Sequence, residues 1–110
     1  MAKVSSEEIN QLHAEVCQAL ADPTRIAILY ELSHGEKNVG ELAEALGCNR
    51  VTISRHLRVL RERAIVRTER RGVSIYYSLA DQRIIAALDL LRQVLAQIMA
   101  THKMLAEALE

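Results

Sequence analysis

The sequence predicts a mainly α-helical fold with one small β-hairpin, and three observations carry that expectation. Half of the residues are hydrophobic, but there is no Phe or Trp and there are only three Tyr. A core must therefore come from Leu, Ile, Val and Ala, a composition that favours packed helices. Apolar residues recur at intervals of three and four along most of the chain, the period of a helix with one buried face. Between about residues 65 and 79 the period changes to two, that of a strand. At 110 residues the chain can bury one core and not two, so residues 1–110 are expected to form a single domain.

The first helix is expected over about 5–20. Ile9, Leu12, Val16 and Leu20 form its apolar stripe, Ser5 or Ser6 caps it, and Glu7 and Glu8 stand in the first turn, where acids complement the helix dipole. Asp22-Pro23 reads as a new N-cap followed by Pro at the first helical position, with Ile26, Leu29 and Leu32 as the buried stripe to about Ser33. The turn around Gly35 ends that helix. A short helix from Glu41 to Leu46 turns Leu42, Ala45 and Leu46 inward and closes at Gly47, which accepts the left-handed conformation of a helix C-terminus. Asn49 then caps a helix over roughly 50–63, with Ile53, Leu57 and Leu60 on one side and Arg50, Val51, Ser54, Arg55 and Arg58 on the other. Two helices separated by a few residues that include Gly form a helix-turn-helix.

Residues 65–70 and 73–79 read as two strands joined at Arg71-Gly72, with Val73, Ile75, Tyr77 and Leu79 alternating with Ser74, Tyr76 and Ser78. A hairpin with an arginine tip directly after a helix-turn-helix is a wing. The expected fold class is thus a winged helix-turn-helix, mainly α, whose DNA-reading part spans about 38–79. Asp81 is expected to cap a long last helix over about 81–109, with Ile84, Leu88, Leu91, Leu95, Ile98, Leu105 and Leu109 at steps of four and three and His102 in the missing place. Such a helix spans about 43 Å at roughly 1.5 Å per residue, more than a domain of this size needs for its own core. Its far half is expected to find a second copy, making a homodimer.

Formal net charge is zero, yet the charges are segregated. Arg50, Arg55, Arg58, Arg61, Arg63, Arg67, Arg70 and Arg71 face only Glu62 and Glu69 within their stretch, +6 over 22 residues, and the remainder carries −6. A segregated basic face is the footprint that phosphate contact leaves in a sequence. The second helix of a helix-turn-helix fits the major groove of B-DNA. There Arg50 and Arg55 can bond guanine bidentately, Ser54 can bond either base type, and Val51 can touch a thymine methyl. Thr52, Arg58 and Arg61, with the wing residues Arg70 and Arg71, are placed for phosphates. The function expected is a sequence-specific DNA-binding transcriptional regulator; the alternative is an architectural or protein-interaction module without sequence choice. No Ser, His and Asp grouping, glycine-rich phosphate loop or pair of inward carboxylates stands at a usable spacing, so an enzyme is not expected.

The stretches Ala19-Leu20-Ala21-Asp22-Pro23-Thr24-Arg25, Val39-Gly40-Glu41-Leu42-Ala43 and Ser54-Arg55-His56-Leu57-Arg58-Val59-Leu60-Arg61, followed by Tyr76-Tyr77-Ser78-Leu79, resemble those of the ArsR family of bacterial repressors. The resemblance covers nearly the whole chain. It implies a homodimer pairing through its first and last helices (about 5–20 and 81–109) on a double-stranded operator with two-fold symmetry. It also implies release from that operator by an effector, commonly a metal, a metalloid or an oxidised sulfur species. The Cys-x-Cys pair that many members carry is absent, since Cys17 and Cys48 are the only cysteines. Members that bind zinc or nickel on the last helix use an acid and a His two residues apart, then two further ligands. Here Asp81 is followed by Arg83, Val94 and Gln97, and none of those three is a useful zinc ligand. Val51 replaces the Pro that often opens the recognition helix.

The effector candidates that remain are His13, Cys17, Cys48 and His102. His13 and Cys17 are four apart and share a helix face, and His102 lies on the seam of the last helix, so a thiolate and two imidazoles could meet across a dimer around a soft metal or metalloid ion. Cys48 sits beside the Asn49 cap and Arg50, where a thiolate is favoured, or it is a small residue filling a turn. A buried, inert Cys17 is the plainer alternative. The effector thus stays open among such an ion, an oxidant or sulfur species, a small organic molecule and none. No apolar stretch of membrane-spanning or signal-peptide length is read from the sequence, so no membrane partner and a cytoplasmic location are expected.

Overall fold

The computed structural model describes residues 3–109, so residues 1, 2 and 110 of the expected domain lie outside the described residues. Helix α1 runs from Ser6–Gln11 through a π-helical stretch, Leu12–Cys17, to a last turn, Gln18–Leu20. Ser5 caps it, its hydroxyl accepting the Glu8 N–H at 3.1 Å. The π stretch is an addition to the expected regular helix; it ends where the Gln18 N–H reaches the His13 carbonyl five residues back. Asp22 caps α2 (Pro23–Leu32), its Oδ1 accepting the N–H groups of Thr24 at 2.8 Å and Arg25 at 3.2 Å. The buried residues of α2 are Ile28, Leu29 and Leu32, while Ile26 is half-buried. The single expected stripe is widened because α2 packs against the end of α1, the two helices of the helix-turn-helix and a strand at once.

Lys37–Asn38 form β1, a strand too short to show any period. Helix α3 (Val39–Leu46) begins two residues before the expected Glu41. The reason is a capping box: Asn38 Oδ1 accepts the Glu41 N–H at 2.8 Å, and Glu41 Oε1 accepts the Asn38 N–H at 3.0 Å. Glu41 is therefore the third helical residue and not the first. Leu42 and Ala43 are buried and Ala45 is exposed, the reverse of the order expected for the two alanines. Gly47, at φ +64°, closes α3. Asn49 Oδ1 then accepts the Thr52 N–H at 2.8 Å to open α4 (Arg50–Glu62).

Helix α4 ends in a paired-hydrogen-bond cap in which Ala64 N–H reaches Arg61 O at 3.0 Å and Ile65 N–H reaches Leu60 O at 2.9 Å. Ala64 holds φ +58° there, a conformation that costs an L-residue about 1–2 kcal/mol. The cap turns Ile65 and Val66 into the core and launches the hairpin of β2 (Val66–Arg71) and β3 (Ser74–Leu79). The turn is Gly72-Val73, one residue later than expected, because Gly72 at φ +61° takes the first central position, which demands glycine. Val73, expected as the first residue of the second strand, consequently stands at the tip, 98% exposed, and Ile75 is also exposed. The sheet order is β1-β3-β2, with Lys37 opposite Tyr77 and Arg71 opposite Ser74.

The last helix, α5, spans Arg83–Ala108. Asp81 is not its boundary residue; Gln82 is, and Asp81 Oδ1 accepts the Arg83 N–H at 2.9 Å from just outside. The buried core is wholly aliphatic, centred on Ile28, Leu29, Leu42, Ile53, Leu57 and Leu60; along α5 it takes in Leu88, with Ile84 and Ile85 packed against it, and goes no further. Beyond that point Leu91, Leu95, Ile98, Leu105 and Leu109 are exposed, as are Ile9 and Leu12 of α1. By length and composition α5 could cross a membrane, which corrects the expectation that no stretch has that length. Asp89 and Arg92 interrupt it in its first half, and its first turns are anchored on the helix-turn-helix core.

Candidate nucleic-acid interface

The buried face of α4 fixes its exposed one. Ile53, Leu57 and Leu60 are completely buried, and a 3.6-residue period then leaves Arg50, Val51, Ser54, Arg55 and Arg58 to solvent. Thr52, half-buried, spends its N–H on the Asn49 cap. Between α4 and the wing lies a cleft of about 550 Å³, lined among others by Gly40, Arg50, Ser54, Ser74, Ile75 and Tyr77.

The eight arginines of the basic stretch are not equivalent. Arg58 pairs with Glu62 at 3.6 Å and Arg63 with Glu15 at 3.3 Å. Arg71 is held by Glu36 and Glu69 and lies over the Tyr76 ring at 5.0 Å from its centroid. Among the described residues, Arg50, Arg55, Arg61, Arg67 and Arg70 have no carboxylate within 4 Å. Register explains the contrast between the two wing arginines. Arg70 is opposite Ile75 and shares a sheet face with Thr68 and Tyr77, the side that lines the cleft. Arg71, on the other face with Glu69 and Tyr76, braces the wing against the segment before β1. Both had been expected to serve as phosphate contacts, but only Arg70 is unneutralised.

His56 is turned away from this surface. Its Nδ1 lies 3.3 Å from Arg25 Nη1 and its Nε2 3.9 Å from Asp22 Oδ1. Arg25 also donates to the carbonyls of Ala19 at 2.7 Å and Gln18 at 3.2 Å. One guanidinium thus ties the end of α1 to α4. Partial burial works against ionisation of Asp22, but hydrogen bonds from the Arg25 and Thr24 backbone N–H groups, with His56 and Arg25 nearby, hold its carboxyl below the ordinary value. Sequence reasoning missed this bracket, since Arg25 and His56 are 31 residues apart and no period links them.

The family model described as bacterial regulatory protein, arsR family, matches residues 22–68, from the α2 cap to the middle of β2. The chain is 37% identical to the transcriptional repressor SmtB homolog of Synechocystis, over 84% of this chain and 67% of that protein. It is also similar to the homodimeric winged helix-turn-helix DNA-binding domain Mb0332 of Mycobacterium bovis, a possible ArsR-family transcriptional regulator, with a TM-score of 0.66 and 36% identity over 88% of this chain and 91% of that one. The chain belongs to the ArsR family. The HTH-type transcriptional regulator NmtR of Mycobacterium tuberculosis is a further ArsR-like relative, 45% identical over 69% of this chain. This chain spans less than two thirds of that relative, 63% of its length.

Within this ArsR-family chain the effector candidates lie apart. His13 and Cys17 are exposed in the π stretch of α1, so the buried Cys17 considered above is not found, and His102 is exposed far along α5. Cys48 is half-buried against the core, its thiol 3.6 Å from the Leu46 carbonyl. Among the described residues of one chain, no three His, Cys, Asp or Glu side chains are grouped to hold a metal ion.

At the start of α5 both Asp81 oxygens are taken by Arg83, at 2.6–3.1 Å, so a guanidinium fills the place where the family resemblance would put an ion. The Arg83 side chain and its backbone N–H lower the Asp81 carboxyl to about 2. A depressed acid contributes stability above its ordinary value of 3.8 and loses it as pH falls toward about 2. Arg83→Ala should therefore move the Asp81 midpoint up toward 3.8, read by carbon NMR of the side-chain carboxyl. An unchanged midpoint would show that the guanidinium is not its cause.

Proposed function

We propose that this chain is a sequence-specific DNA-binding transcriptional repressor that works as a homodimer and leaves its operator when an effector binds. The observation that carries the proposal is the outward face of α4, where Ser54 and the unneutralised Arg55 project beside a wing bearing an unneutralised Arg70. Arg55 and Ser54 read base edges; Arg70, and Arg58 on exchanging the exposed Glu62 carboxylate for DNA, contact phosphates, and these set position without choosing sequence. Homodimerisation is supported by the uncovered apolar face of α5 and by the homodimeric relative. A dimer of this kind reads two half-sites about 34 Å apart, which gives an operator with two-fold symmetry.

The effector reading rests on His13, Cys17 and His102, which stand on the two helices whose apolar faces are open. A soft metal or metalloid ion would join them across two copies, since one copy does not group them. Moving those helices would change the spacing of the recognition helices and so the affinity for DNA.

Selection from a randomised duplex library tests the central claim. Enriched sites should show two-fold symmetry, and Arg55→Ala or Ser54→Ala should erase roughly 1–3 kcal/mol of base preference at one position in each half-site. Arg70→Ala should weaken all duplexes alike. Weak, length-dependent binding to every sequence would instead mark an architectural protein.

A further inference from the structure

Gly40 is the second residue of α3, and a Cβ placed on it would lie 2.8 Å from Arg50 Nη2, 3.1 Å from Cζ and 3.5 Å from Nη1. Side-chain carbons do not approach that closely, so the guanidinium rests on the bare Cα of the glycine. The backbone does not itself call for glycine here. Gly35, Gly47 and Gly72 have positive φ, whereas Gly40 does not. At an ordinary helical position Ala is the better residue, so the contact is what the missing side chain provides.

Its consequence is directional. Arg50 opens α4, but its side chain turns back over the first turn of α3 into the cleft shared with Ser54, Ser74, Ile75 and Tyr77. No carboxylate among the described residues lies within 4 Å of it there. The cleft therefore presents a fixed cation, walled by the recognition helix and the wing, to an anion that enters between them.

We infer that Gly40 is the positioning residue for Arg50, holding its guanidinium between α4 and the wing so that it clamps a DNA backbone phosphate. The inference rests on the DNA-binding reading above and moves Arg50 from base readout to phosphate contact. Gly40→Ala displaces only the mobile end of Arg50, so the fold survives while the clamp is lost.

The test needs no operator. Parent, Gly40→Ala, Arg50→Ala and the double variant are titrated with several duplexes of about 30 base pairs and unrelated sequence by fluorescence anisotropy at several salt concentrations. Gly40→Ala should melt no lower than the parent, yet bind about tenfold more weakly for each protomer in contact with the duplex, the loss expected for one charged contact apiece. The slope of log affinity against log salt should fall by about 0.9 per protomer, and the double variant should bind as Arg50→Ala does. Parent-like affinity and slope in Gly40→Ala overturns the inference, as do losses that simply add in the double variant. So does a loss confined to particular sequences, which would return Arg50 to base readout. A parent that binds no duplex at all removes the DNA-binding reading and this inference together; a parent that binds, beside an unaffected Gly40→Ala, removes the inference alone.

Discussion

Leu95→Glu combined with Ile98→Glu will convert the protein to monomers and abolish operator binding. Both side chains are about half exposed on α5, at 55% and 44%, and they continue the stripe of Leu88 and Leu91. Burial of a residue of this size stabilises by about 1.5–3 kcal/mol, and a two-fold interface counts each position twice. Because half of each side chain is already covered within one copy, removing two such contacts per copy costs roughly 3–6 kcal/mol, before repulsion among four carboxylates packed together is added. Against the association energy of a micromolar dimer, about 8 kcal/mol, that loss and the added repulsion leave too little to hold two copies together. Light scattering should report one copy, and the helix-turn-helix should remain folded by circular dichroism because its core extends along α5 no further than Leu88. A variant that stays dimeric would place the interface elsewhere.

Leu57→Ala carries the second large effect, on stability. Leu57 is completely buried on the inner face of α4, one turn from Ile53 and packed in the cluster that includes Leu29 and Leu42. Truncation leaves a cavity that the surrounding aliphatic side chains fill only in part, at a cost of about 2–5 kcal/mol. Against a total stability of about 5–15 kcal/mol for a small domain, this should lower the thermal midpoint by ten degrees or more, at roughly 4–8 °C per kcal/mol. Arg55→Ala, on the opposite face of the same helix, should leave the midpoint within about a degree or two. Equal losses in the two variants would mean that the faces of α4 are wrongly assigned.

The order and type of the elements are legible in the residues alone, because their signals are local. The caps Ser5, Asp22 and Asn49, the stop at Gly47, the inner row Ile53, Leu57 and Leu60 and the change of period after Ala64 all act over three to five residues. Where local readings missed, a neighbour slightly further away had won. The Asn38–Glu41 capping box started α3 early, and Gly72 moved the hairpin turn by one residue and with it the side that Val73 faces. The uncovered stripe of α5 was also legible, since its apolar spacing outran the core that one short chain can bury. Which cations are free depends instead on how the elements pack. Arg71 is neutralised by Glu36, 35 positions away in the chain, while Arg70 is spared by strand register, and Arg50 is aimed by a glycine on another helix. Arg25 and His56 meet across 31 residues, and Tyr30 donates to Asp89 at 2.7 Å across 59. Charge and hydrogen-bond partners depend on the approach of elements distant in the chain, and periodicity encodes the face a residue occupies but not the side chain that waits opposite.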